Sequence, residues 1–174
     1  LLKSLGIEFT VKQRETDESF PDGLDRVDIP VYLSKLKAKP FLNDLEKNDL
    51  LITADTIVWL DGKVLGKPRS VEEARSMLLD ISGKEHQVIS VVTLSSSVRQ
   101  KSFHSLSNVS FRELTLQEID YYISEYKPFD KAGAYGIQEW IGYIGITHIE
   151  GSFFNVMGLP VQQLYSEILN FSRL

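Results

Sequence analysis

The chain has 174 residues, 43% hydrophobic and 25% charged, with a formal net charge of −5 and no cysteine. That balance suits one soluble domain with its own core; absent thiols exclude disulfides and thiolate metal sites and fit a reducing, cytoplasmic setting. The acidic charge argues against long nucleic acid as a partner, and no apolar run approaches the roughly 20 residues that span a bilayer, so no membrane association is expected.

In chain order, Leu1-Leu2-Lys3-Ser4-Leu5-Gly6 reads as the last turn of a helix closed by glycine. A helix without a beginning predicts further residues upstream. Residues 7–13 alternate and predict a strand. Residues 16–28 are a polar loop broken by Pro21 and Gly23. Asp28 is the expected cap of a helix that runs to about Lys47, ended or kinked at Pro40. Residues 50–60 are apolar on both faces and predict a central strand. Asp61-Gly62 suits a hairpin turn into Val64-Leu65. Ser70 and Glu73 have capping-box spacing for a helix through Asp80, closed by Ser82-Gly83. Residues 86–98 and 101–112 predict two long strands. Thr115 and Glu118 cap another helix to about Glu125. Residues 126–138 read as a glycine-rich loop, Tyr143–Ile149 and Phe153–Met157 as strands, and a last helix follows Gly158-Leu159-Pro160 to about Phe171. The class is α/β or α+β with a mixed, long-stranded sheet, over one domain spanning 1–174, of one or two lobes around a cleft.

Among polar residues, Asp55 stands out because it sits in the most hydrophobic stretch. A carboxylate buried there costs several kcal/mol unless something compensates. Backbone amides would make it a core residue, whereas a metal or an open cleft would make it functional. Asp17-Glu18, read alone, is a solvated acidic turn or part of a site. Lys67, on the rigid Gly-Lys-Pro turn, suits phosphate binding or simple exposure, and Lys37 falls in a lysine-rich helix face. The run Asp130-Lys131-Ala132-Gly133-Ala134-Tyr135-Gly136-Ile137-Gln138 combines small residues with charge and an amide. Such a run lets a ligand approach the backbone, but it is neither a Walker A loop nor a dinucleotide fingerprint. His86, His104 and His148 lack metal-ligand spacing, and no serine-hydrolase elbow occurs. Carboxylates with lysines suggest a hard cation and phosphate oxygens.

Ala54-Asp55-Thr56, Gly66-Lys67-Pro68, Ser82-Gly83 with His86, the Asp130–Gln138 run, Glu150-Gly151-Ser152, Asn155 and Gly158-Leu159-Pro160 together resemble the Maf family over essentially the whole chain. The resemblance implies an elongated mixed sheet with flanking helices and a central cleft, related to the inosine triphosphate pyrophosphatases. It implies hydrolysis of nucleoside triphosphates between the α and β phosphates with a divalent cation, Mg2+ or Mn2+. Asp55 matches the catalytic carboxylate, and Glu18 with Asp55 would hold the cation. Lys37 and Lys67 match the family's lysines; with Lys131 they are the expected phosphate-binding residues. Thr56 and Gln138 match positions associated with preference for dTTP and UTP. A homodimer is a further expectation. The chain departs from the family at its beginning: the strand and Ser-x-Ser-Pro-Arg-Arg loop that precede Leu-Leu-x-x-Leu-Gly in members have no counterpart before Leu1. Two other readings are compatible with the same residues: a pyrophosphatase for modified or non-canonical nucleotides, and a non-catalytic nucleotide-binding regulator of cell division.

Overall fold

The computed structural model describes residues 1–172. After a short 3-10 turn at Leu2–Leu5, capped by a left-handed Gly6, no regular element forms until helix α1, Asp28–Ala38. Strand β1 is Leu51–Leu60 and β2 is Lys63–Leu65. Then come α2 (Val71–Ile81), β3 (Glu85–Ser95), β4 (Gln100–Phe111) and α3 (Leu116–Tyr126). The chain finishes with α4 (Trp140–Gly145), β5 (Ile146–Glu150), α5 (Phe153–Val156) and α6 (Val161–Ser172). The class is α/β, and the five strands form one open sheet in the order β2-β1-β3-β4-β5. The sheet is antiparallel rather than mixed. Hairpins reverse the chain after β1 and β3, so each of those strands lies beside its antiparallel successor.

The chain divides into two compact units. One comprises Leu1–Asp55, Ser90–Ser105 and the residues from Gly158 on; the other comprises Thr56–Ile89 and Leu106–Met157. The first is centred on Val92, Leu94, Phe103, Leu164 and Phe171. The second has the larger core. There, Ala74, Met77, Leu78 and Ile81 recur at helical spacing along the buried stripe of α2, and α3 adds Ile119, Tyr122 and Ile123. Each fully buried Leu or Ile contributes about 2 kcal/mol. Both helices start at the predicted caps. Ser70 accepts from the Glu73 amide, although the Glu73 carboxylate turns to the Arg69 amide and completes no reciprocal box. Thr115 and Glu118 form the full box.

Several elements differ from the sequence-based expectation. Residues 7–13 form no strand. Phe9 is 46% and Val11 76% exposed, and alternation without a neighbouring edge to take its amides and carbonyls makes no ladder. Asp28 does not cap α1: the turn from Asp25 already takes the Asp28 and Ile29 amides, and Val27 holds the cap position. The expected helix to Lys47 stops at Ala38 and tightens into a 3-10 segment, Lys39–Asp44, with Pro40 in its first turn. The expected strand Tyr143–Ile149 begins only at Ile146, and its first residues belong to α4. Ile141 and Gly145 are the buried positions there, one turn apart, a spacing that a short apolar run does not distinguish from a strand. The expected strand Phe153–Met157 is instead a helical turn over Phe153–Val156, because the Ser152 side chain accepts from the Asn155 amide and starts it.

Gly142 is fixed by close approach. A β-carbon there would lie 2.0 Å from the Ile137 carbonyl oxygen, a backbone atom that cannot swing aside. Gly142→Ala is predicted to destabilise the protein by about 3 kcal/mol or more, at the upper end for overpacking. Urea unfolding of the two proteins checks this, with a midpoint equal to wild type as the contrary result.

Candidate active site

Helix α1 buries Ile29, Leu33 and Ala38 and carries Lys37 on its last turn. The Lys37 Nζ donates to Asp55 Oδ1 at 2.6 Å and lies 3.1 Å from Glu18 Oε1. Asp55 comes from β1 and is 9% exposed, while Glu18 reaches in from an exposed loop. Three of the residues singled out in the sequence therefore meet. Burial alone would lower the Lys37 pKa, but the Asp55 and Glu18 carboxylates outweigh it and the ammonium's pKa is raised. An ammonium this close favours the charged form of a carboxylate as well. A cavity of about 520 Å3 opens beside Glu18 and Lys37 and is lined also by Lys12, Arg14, Thr53 and Ala54 among others.

Among the described residues, no group of three or more His, Cys, Asp or Glu side chains is arranged to hold a metal. Glu18 and Asp55 nevertheless bring two carboxylates into one cluster around Lys37. One or two carboxylates, with water and substrate phosphates completing the shell, is a donor set that fits Mg2+ or Mn2+. The residues present thus fit a cation that arrives with a phosphorylated substrate.

The other residues lie in the second unit. The Asp130–Gln138 run folds back onto the Gly66-Lys67-Pro68 turn: the Gly133 amide donates to the Gly66 carbonyl at 3.0 Å. Gly133 has φ +69°, and a β-carbon on it would sit 3.0 Å from Val58. Ala134 also has a positive φ, 60°, while fully buried. A side chain held in that region costs about 1 kcal/mol, which the surrounding packing must offset. Lys131 pairs with Asp130 at 2.9 Å and Glu139 at 3.5 Å. The Asp130 pKa is lowered by its bond to Lys131 and, to a smaller degree, by the charge of Lys67. Lys67 and Gln138 are exposed, and Thr56 is half-buried in β1 directly after Asp55.

Two residues support this loop in ways the sequence did not show. The Tyr122 hydroxyl donates to Glu139 and accepts from the Gly136 amide at 3.0 Å. A tyrosine at a core position of an amphipathic helix carries a hydroxyl that needs a partner, and that was the available signal. His86 is the second. It is 2% exposed, its Nε2 lies 2.7 Å from the Tyr135 hydroxyl, and it packs against the Phe111 and Tyr135 rings. Burial pushes its pKa down to about 4.

Residues 1–171 match the family profile described as Maf-like protein. The chain is 54% identical, over 169 residues, to a dTTP/UTP pyrophosphatase of Phocaeicola vulgatus, covering 97% of this chain and 88% of that protein. It is 52% identical to the dTTP/UTP pyrophosphatase of Bacteroides thetaiotaomicron over the same shares. A third relative of the same name, from Flavobacterium psychrophilum, is 46% identical over 168 residues, 97% of this chain and 86% of its own.

The depressed His86 pKa has a consequence for stability. The unfolded chain binds a proton near the ordinary histidine value, whereas the folded protein resists protonation until about pH 4. The unfolded state therefore holds more protons within that window, and stability falls as pH drops through it. The expected loss is about 3 kcal/mol. His86→Gln should flatten the dependence of unfolding free energy on pH between those limits. An equally steep profile in the variant would assign the loss to other groups.

Proposed function

Because the chain belongs to the Maf family, we propose that it is a dTTP/UTP pyrophosphatase, hydrolysing these nucleotides to the monophosphate and pyrophosphate. The observation that carries the assignment of roles is the pairing of Lys37 with Asp55 and Glu18. A buried carboxylate paired with a lysine that lines an open cavity has the form of a base prepared for a water molecule. Asp55 takes the proton as the water oxygen bonds to the α phosphorus, and the bond from that phosphorus to the α–β bridging oxygen breaks. Pyrophosphate leaves with the electron pair.

Lys37 balances phosphate charge beside the base. Lys67 and Lys131 bind phosphate oxygens, where fixed cations stabilise the charge that grows on the leaving group. The counter-ions of Lys131, Asp130 and Glu139, keep it aimed before substrate arrives. Glu18 and Asp55 would hold Mg2+ or Mn2+, which supplies charge neutralisation and polarisation of phosphate oxygens when bound. Thr56 and Gln138 read the base. Hydrogen bonds to the edge of a pyrimidine discriminate more strongly than apolar contacts, because a mismatched base leaves a polar group unpaired.

The test is pyrophosphate release from the purified protein with Mg2+, measured on dTTP, UTP, ATP, GTP and modified nucleotides. dTTP and UTP should be cleaved fastest. Faster cleavage of purine or modified nucleotides would overturn the base preference, and no cleavage of any would favour a binding role. Asp55→Asn should keep native-like melting while losing at least about a hundredfold in turnover, the usual scale for a lost general base. Unchanged turnover in that variant would remove Asp55 from the reaction.

A further inference from the structure

The contact between Lys37 and Asp55 is the second rung of a two-rung ladder between α1 and β1. The first rung lies one helical turn earlier: Thr53 Oγ1 donates to the Ser34 carbonyl oxygen at 2.7 Å. Thr53 and Asp55 are two apart on the strand and so share a face, while Ser34 and Lys37 are three apart on the helix. Ser34 is itself fully buried and anchored from the other side. Its hydroxyl donates to the Val31 carbonyl at 3.0 Å and lies 2.8 Å from Thr93 Oγ1, which lies 2.9 Å from Ser102 Oγ.

Each hydroxyl has one proton, so these contacts have one consistent direction. Ser34 spends its proton on a carbonyl, which can only accept. Thr93 must then donate to Ser34, and Ser102 to Thr93. The result is a run of hydroxyls that bolts α1 to β3 and β4, with Thr53 closing the attachment on β1. The Thr53 bond ties the backbone of α1 directly to β1. A lysine side chain has enough freedom to meet a carboxylate from several helix positions, so the ion pair by itself does not fix where α1 sits.

We infer that Thr53 is a positioning residue for the pyrophosphatase reaction: its hydroxyl sets the register of α1 on β1 and thereby the placement of Lys37 against Asp55. The inference rests on the roles proposed above for those two residues. Thr53 also lines the cavity beside Glu18 and Lys37, so a shift of the helix there changes the walls that receive substrate.

The experiment compares Thr53→Val, which keeps shape and loses the hydroxyl, with Thr53→Ser, which keeps the hydroxyl. Asp55→Asn is measured alongside, all on dTTP with Mg2+. Thr53→Val should lower kcat about tenfold while KM stays within about twofold, the signature of misplaced reacting groups rather than weakened binding. Thr53→Ser should restore kcat. A purely structural role would lower Tm and leave kcat per folded molecule intact. Wild-type kcat in Thr53→Val, or an equal loss in both variants, overturns the inference. Should the valine variant not fold, Thr53→Ala is judged by the same criteria. If Asp55→Asn is inactive and Thr53→Val is not impaired, only the positioning role fails. If Asp55→Asn is fully active, the assigned base fails and the positioning role fails with it.

Discussion

A carboxylate in the middle of an apolar strand is costly, and much of the first unit is arranged around that cost. Asp55 lies between Ala54 and Thr56 in a strand whose neighbours are leucine, isoleucine, valine and tryptophan. Burial without a partner would carry a desolvation penalty. An ammonium at 2.6 Å offsets it. The ammonium comes from the last turn of α1, which stops at Ala38 before Pro40 and is held by the buried Ser34 beside Thr93 and by the Thr53 hydroxyl.

The second unit solves a different problem by different means. Its loop has little charge to bury and owes its form to the backbone. Gly133 is pressed against Val58, Ala134 is held at a positive φ, and the Gly136 amide is tied to Tyr122. Each fixes a dihedral that a free peptide would leave to chance. Lys131 then receives its direction from two carboxylates on the same stretch of chain. Pre-arranged donors need less reorganisation when charge develops on a substrate, and rigid backbone is the most economical way to arrange them.

How much of this was legible beforehand follows from the kind of signal each feature leaves. Asp55 was visible because its polarity conflicts with its neighbours. The caps at Ser70 and Thr115 were visible because capping is local chemistry, and both formed. Lys37 was not separable by composition from Lys35 and Lys39; only its match to a family motif singled it out, and only folding brings it to Asp55. The hydroxyl chain through Ser34 and Thr93 left no signal, since its members come from distant segments. The strands wrongly expected at 7–13, 143–145 and 153–157 share one cause. Alternation or a short apolar run is necessary for a strand, but pairing depends on what lies beside it, which no local pattern records.

The bond from the Gly133 amide to the Gly66 carbonyl joins residues distant in sequence. Its loop closes on the turn that follows the β1/β2 hairpin, and a closure between distant segments carries a larger chain-entropy cost than a local one. Chain synthesis respects the same order, because the hairpin emerges well before the loop. A partly folded molecule can already possess helices and an apolar core without that loop taking its shape. The loop's form is thereby reserved for molecules in which the distant turn is already in place.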